Sequence, residues 1–479
     1  MSGVLVIYNT LTRKKEVFEP VDPPFVKIYH CGITPYSESH VGHLRSEVAV
    51  DTLRRTLRFL GYIDIAISNF TDIDDKIIKK AKETDMRWDE IPEKYIKYHL
   101  EVIKEVGNLP FYINPKVTEH IGDIVEFVGD LIKKDYAYKG EKGIYFKVDK
   151  FKDYGKLSRR KNPEAWGQEL DILEDKIKPY DFALWKFKKP GEPYWETEIG
   201  EGRPGWHIEC STMSSKYLGI QFDIHSGGQD LIFPHHENEI AQSEARFRVK
   251  PWVRYWFHIG YVMIDGEKMS KSLGNIIPAK EFVNKIGAMP ARFYLISTHY
   301  REPLNIKDSS IMQAKENYRY ITSTIKTIVT ALDSLDRTYY LNRSEIILWR
   351  NLLEYHKRFV DAILNDIDTT TATSVLLEAT RFINREIIPS EKFTLVYSAY
   401  EFYNIVNNIY ACWNDVIYGN SKGTLHTKLT NKLIELLIEI RKELRKQKNY
   451  ELADRIRNTL RELGINLLDK GLKTEWRFI

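Results

Sequence analysis

The segment Val26-Lys27-Ile28-Tyr29-His30-Cys31, followed by Gly32 and then by the run from Val41 to Phe59, decides how the chain folds. The first piece has the period-two pattern of a strand, and the second predicts a helix. Gly32 between them is expected to break the strand. Tyr62-Ile63-Asp64-Ile65-Ala66-Ile67 reads as the next strand. Strand, turn, helix and strand in that order predict an α/β fold with a Rossmann-like, doubly wound parallel sheet. Ligands of such sheets sit at the carboxyl ends of the strands.

Working outward, the pattern becomes irregular between about 121 and 205, with punctuation such as Lys189-Pro190-Gly191-Glu192-Pro193, and predicts an insertion. Strand-like sequence returns at Phe222-Asp223-Ile224-His225, and a helix is expected after Pro234. From about residue 310 helical periodicity dominates. Leu433, Leu436, Leu437, Ile440 and Leu444 mark one apolar face, and Leu452, Ile456, Leu460 and Leu463 another, with Gly464 as a stop. The stretch from Ile465 to Gly471 reads as a short strand and turn.

At 479 residues the chain is too long for one core and predicts three or four domains. Hydrophobic residues make up 43% and charged residues 29%, a soluble mix in which no apolar run approaches the roughly 18 residues of a membrane span. The beginning, Met1 to Tyr8, is strand-like and lacks a signal-peptide pattern. Three cysteines, at 31, 210 and 412, are too sparse for a disulfide framework. A cytoplasmic protein with no membrane partner is expected. Residues 431–479 hold 12 Lys or Arg against 8 Asp or Glu, which accounts for the whole chain's charge of +4. A basic end suits a phosphate backbone, or is a solvated helical surface.

Two short motifs carry chemistry. His40-Val41-Gly42-His43 opens the first helix, where free N–H groups and the positive dipole end favour an anion. Lys268-Met269-Ser270-Lys271-Ser272 lies far downstream, a cationic loop suited to closing over a triphosphate. A metal site is also in prospect. His235 and Glu239 are four apart on the helix expected after Pro234, and Cys31 and Cys210 would complete a set of donors acceptable to zinc. His207 and His236 are rivals by the same chemistry, and the two thiols can equally be buried packing residues.

The two motifs in this order resemble the signatures of the class I aminoacyl-tRNA synthetases, with Val41 standing where that family has isoleucine. Four longer stretches, Cys31-Gly32-Ile33-Thr34-Pro35-Tyr36, Asn69 to Lys76, Gly205 to Cys210, and Phe233 to Glu239, look like the cysteinyl-tRNA synthetases. The resemblance runs from about Val26 to Asn305 and more loosely to Trp476. It implies one zinc ion (Zn2+) per chain on Cys31, Cys210, His235 and Glu239. It also implies ATP with Mg2+, handled by His40, Gly42, His43, Gly228, Asp230, Lys268 and Lys271. Trp206 and His225 would wall a pocket for L-cysteine, with Thr34, Thr71 and Asp230 meeting its polar ends. Ser226 to Asp230 would form a glycine turn near the ribose.

The expected product is cysteinyl-tRNA(Cys) made by a monomer. The expected organisation is a catalytic domain over 1–120 and 206–265, a connective insertion over 121–205, and the signature loop with a stem-contact region over 266–310. A helical bundle over 311–425 and a C-terminal anticodon-binding region over 426–479 would follow, with Arg455, Arg457, Lys470, Lys473 and Arg477 near Trp476 at the RNA. A ligase that acylates a small amine and a non-catalytic tRNA-binding homologue are the alternatives. Neither would need both the intact signatures and the region beyond 310. Gly200-Glu201-Gly202-Arg203-Pro204-Gly205 imitates a dinucleotide fingerprint but is expected to follow no strand and open no helix. His207-Ile208-Glu209 lacks the second half of a deaminase motif, and Cys412 reads as a helical core residue.

Overall fold

Val26 and Ile28 are completely buried, and their strand β1 (Phe25–Ile33) runs past the glycine expected to end it. The register of β1 against β2 (Ile63–Phe70) slips between His30 and Ile33 instead. A Cβ at Gly32 would strike the Asn69 carbonyl, so the glycine permits a close approach of two strands rather than a turn. The computed structural model describes residues 3–160, 175–270, 274–338, 340–418, 426–447, 449–462, 465–470 and 473–478.

β3 (Phe222–Gly228) pairs with the other edge of β1, and β4 (Val253–Ile259) completes a sheet in the order β4–β3–β1–β2. All pairings are parallel. The chain leaves β1 toward β2 on one side and later fills β3 and β4 on the other, so a crevice opens at the carboxyl ends of β1 and β3. The helix α1 (Val41–Phe59) covers the sheet, starting and ending where the sequence pattern placed it. α2 (Trp206–Leu218) leads into β3, and α3 (Glu237–Phe247) connects β3 to β4.

The inward face of α1 carries charge as well as Val41, Leu44, Val48, Leu53 and Leu57. Arg54 donates to Asp64 at 2.6 Å with both side chains 1% exposed. Asp51 is held by Arg55 at 2.7 Å and by the buried Arg292. Arg292 also donates to the Tyr410 carbonyl at 2.5 Å and to Asn108 at 2.6 Å, so one guanidinium ties three segments to α1. Arg292→Met should therefore destabilise the fold by about 3 kcal/mol. That is near the low end of the cost of breaking a buried ion pair, because Arg55 still partners Asp51. Urea unfolding followed by circular dichroism checks this, and an unchanged midpoint would mean the three segments hold without it.

The described residues of the span that looked irregular in sequence carry regular elements. After the helices Asp75–Thr84, Glu90–Glu105 and Ile121–Lys133 come four antiparallel strands, Ala137–Lys139, Gly143–Phe146, Phe182–Phe187 and Gly202–Pro204. Strands this short give too few residues for a period-two signal. Ile144, Phe146, Phe182 and Trp185 join Tyr29 and Trp256 in one core, so the inserted sheet continues the central one. The stretch from Gly200 to Gly205 does, against expectation, contain a strand and lead into a helix. That strand is antiparallel and belongs to the inserted sheet, so it is not the first turn of a dinucleotide fold.

Among the described residues from 308 to 410 run the long helices Asp308–Ser334, Arg343–Leu364, Thr369–Phe382 and Phe393–Tyr410. Cys412 is a core residue but lies just past the last of them, where Ala411 turns the backbone left-handed. Burial pushes its thiol up to about 12. Among the described residues no helix is long and apolar enough to cross a membrane.

Residues 413–479 form a second compact unit, with helices His426–Lys446 and Tyr450–Glu462 and an antiparallel hairpin of Ile465–Lys470 and Lys473–Phe478. Its core is Ile434, Leu460, Ile465 and Leu467, with Leu437, Ile438 and Ile456 against it. Leu433, Leu436 and Ile440, expected inside, are exposed, as is Leu452. The first helix is so rich in Leu and Ile that two overlapping stripes satisfy the helical period, and the other one packs. Leu463 and Gly464 lie outside the described residues.

Candidate active site

His40 is the N-cap of α1. The His43 N–H donates to His40 Nδ1 at 3.4 Å and the His40 N–H to His43 Nδ1 at 3.3 Å, which stacks the two rings 3.7 Å apart. Capping and anion binding are thus not competing roles: the cap fixes two imidazoles beside the positive end of the helix. Facing them is the strand pair Val262–Ile264 and Glu267–Lys268, with the Lys268 ammonium 3.9 Å above the Tyr261 ring. Ser270 donates its N–H to Asn275 at 2.8 Å, whereas Lys271 and Ser272 lie outside the described residues.

Between these walls lies a cavity of about 380 Å³, lined by Cys31, Thr34, His40, Gly42, His43, Trp206, Gly228, Asp230 and Lys268. Cys31 reaches it from the end of β1, and Cys210, His235 and Glu239 lie buried next to Cys31. The donor atoms of these four all lie within 4.8 Å of one another. Cys31 Sγ is 3.8 Å from Cys210 Sγ and 3.6 Å from Glu239 Oε1, which in turn is 3.0 Å from His235 Nε2. His235 sits in a π-type turn, Ile232–His236, and Phe233 is extended, so the regular helix starts only at Glu237. The i, i+4 pair still meets. Trp206 stacks on the His235 ring at 4.3 Å, and His207 Nδ1 holds the other ring nitrogen at 2.9 Å.

The electrostatics of this cluster favour a cation. Burial alone would raise the Glu239 carboxyl, yet the His225 and His235 rings hold it down at about 2. Burial works against His235, but the charge of Glu239 pulls its pKa up to about 10. Burial and the neighbouring thiol keep the proton on Cys31, whose hydrogen bond draws Cys210 down to about 6. Two sulfurs, an imidazole and a carboxylate are a donor set that suits zinc. A second set, Cys31, His225, His236 and Glu239, is equally close together, with His236 Nε2 3.3 Å from Cys31 Sγ. In that set His225 Nε2 is bonded to Glu239 at 2.9 Å and His236 Nδ1 to His258 at 2.8 Å. The first set brings two sulfurs and adjoins the cavity through Trp206, which stacks on His235, so we take it as the better fit.

The model of the class I (C) tRNA synthetase catalytic domain matches residues 17–316. The chain is 48% identical to the cysteine–tRNA ligase of Staphylothermus marinus over 98% of both chains. It is 46% identical to that of Thermococcus onnurineus over 99% of both. The chain belongs to the cysteine–tRNA ligase family. Solved structures share the fold at low identity. The methionyl-tRNA synthetase of Mycobacterium tuberculosis, in complex with methionyl-adenylate, superposes with a TM-score of 0.63 at 13% identity, covering 84% of this chain and 93% of that one. The AgnB2 LeuRS of Agrobacterium radiobacter K84 gives 0.64 at 11%, covering 82% and 85%.

In this ligase two residues expected at a cysteine pocket, Thr71 and His225, do not line the cavity. Thr71 is 3% exposed and donates to Glu209 at 2.9 Å, and His225 is fully buried against Glu239. Ser226, Gly227 and Gly228 are strand residues, and the turn is Gln229–Leu231 instead of a glycine turn. The cavity also shows what sequence reading missed. Glu47 and Lys76 line it. Glu47 is flanked by His99 at 3.4 Å and His30 at 3.8 Å, which hold it below the ordinary carboxyl range although burial opposes this. Glu47 stands four residues after His43, so the helical period alone places it on the signature's face. Glu209, raised by burial and by the Cys210 charge, gave no such signal.

Proposed function

We propose that this ligase activates L-cysteine with ATP and transfers it to the 3′ end of tRNA(Cys). The observation that carries the reading is the donor cluster of Cys31, Cys210, His235 and Glu239 beside a cavity whose opposite walls bear His40 and His43 and Lys268. Zn2+ held by that cluster would supply selectivity by coordination, because zinc takes a thiolate readily and a hydroxyl poorly at neutral pH. Trp206 walls the pocket and Thr34 and Asp230 meet the amino-acid backbone, while Thr71 holds Glu209 and His225 holds the ligand Glu239.

The cysteine carboxylate oxygen attacks the ATP α-phosphorus, and the bond to the bridging oxygen breaks to release pyrophosphate. His40 and His43 contact the phosphates at the helix N-terminus, Gly42 lets the nucleotide approach, and Gly228 and Asp230 face the ribose. Lys268 and Lys271 balance the charge of the leaving group, and Mg2+ accompanies ATP. The 2′-hydroxyl of the terminal ribose then attacks the adenylate carbonyl, and AMP leaves. The divisions at 120, 205, 265, 310 and 425 are proposed as functional boundaries: catalysis, insertion, stem contact, helical bundle and anticodon region. Purified chain should exchange radioactive pyrophosphate into ATP only when cysteine is added. Exchange driven equally by serine, or none at all, would refute the reading.

A further inference from the structure

Arg45 follows His43 by two residues on α1, and its side chain is 2% exposed. Its guanidinium donates to the Tyr261 carbonyl at 2.7 Å, to that of His299 at 3.2 Å, and to that of Glu302. Burial lowers its pKa to about 10, which leaves it charged at neutral pH. Two segments thus converge on one cation, the link after β4 and the turn at 299–302. They are also bonded to each other, Gly260 N–H to the Tyr300 carbonyl and Leu304 N–H to the Tyr261 carbonyl, both at 2.8 Å.

Tyr261 and Val262 matter because they root the strand pair that carries Lys268. Met269 N–H donates to the Val262 carbonyl at 3.0 Å, and the Tyr261 ring lies under the Lys268 ammonium. Beyond the second signature the chain returns to α1: Val41 N–H reaches the Ile277 carbonyl at 3.0 Å and Ala279 N–H the Ser39 carbonyl at 2.8 Å. The two signatures are therefore joined on both sides. The return side uses backbone groups that any sequence supplies. The entry side uses one side chain.

We propose that Arg45 is a positioning residue that fixes the entry to the second signature against the helix bearing the first, and so sets where ATP lies during activation. The inference rests on reading the cavity as the cysteine-activating centre. Arg45 itself does not line that cavity. Lysine would replace it only in part, since a compact ammonium keeps the charge but cannot match a planar fork shared by three carbonyls.

The test compares wild type with Arg45→Lys and Arg45→Met in pyrophosphate exchange at varied ATP and varied cysteine, beside calorimetric titration with ATP alone and a melting curve. In Arg45→Met, kcat/KM for ATP should fall about a hundredfold, the loss that follows a misplacement of about 1 Å. KM for cysteine should stay where it is, and Arg45→Lys should recover part of the loss. Methylguanidinium added to Arg45→Ala should restore part of it as well. Unchanged ATP parameters in a folded variant would overturn the proposal, as would KM for cysteine rising in step with KM for ATP. If wild type itself shows no cysteine-dependent exchange, the proposed function fails, and the ATP titration still decides the role of Arg45.

Discussion

Cys210→Ser should abolish metal retention and collapse the preference for cysteine over serine. The substitution keeps the size of the side chain and removes a buried sulfur whose pKa lies at about 6. Metal analysis should find one zinc per wild-type chain and close to none in the variant. An apolar pocket separates side chains of similar bulk by only about 10- to 200-fold, whereas a site that leaves a mismatched polar group unsatisfied reaches about 10⁴ to 10⁵. The ratio of kcat/KM for cysteine over serine should therefore drop from the second range toward the first. Exchange at limiting cysteine should fall by a comparable factor.

The same measurement separates the two donor sets. His236 belongs only to the second, so His236→Asn should keep the zinc if the first is correct. Zinc kept by Cys210→Ser but lost from His236→Asn would transfer the site to Cys31, His225, His236 and Glu239. Circular dichroism on both variants is needed, because His236 also packs against Trp256 at 5.1 Å.

The central fold was legible because β1, α1 and β2 each repeat a simple period over enough residues to average out exceptions. α1 is the clearest case, with its ends at Val41 and Phe59 visible in the sequence. The metal cluster was legible in chemistry but not in geometry. Cys31 lies near the end of β1 and Cys210 in α2, and no local rule says that they meet. The four-residue spacing to Glu239 and the resemblance together favoured His235 over its rivals, and the structure keeps His236 close to Cys31. Thr71 and His225 show the opposite difficulty. Their types fit a substrate contact, but type does not reveal depth, and both are turned to buried carboxylates. The C-terminal helix misled for a third reason, since a helix with too many apolar residues offers more than one inward face.

Deleting residues 426–479 should leave cysteine-dependent pyrophosphate exchange close to wild type and cut aminoacylation of tRNA(Cys) by about a thousandfold or more. The expectation follows from the separation of tasks. Every residue assigned to cysteine or ATP lies within the unit ending at Cys412, which holds its own core. The second unit carries the basic surplus, with Arg455 and Arg457 exposed on the helix Tyr450–Glu462. In the hairpin register Lys470 pairs with Lys473 and Asn466 with Arg477. If this unit reads the three anticodon bases, each worth about 1–3 kcal/mol, their joint loss exceeds a thousandfold at typical values. Phosphate contacts add a term that salt weakens, so affinity for tRNA should decline with ionic strength in the full chain and decline less steeply after the deletion. A folded truncation that loses exchange and aminoacylation equally would assign residues 426–479 to bracing the catalytic unit. The bases would then have to be read by the helices between 308 and 410.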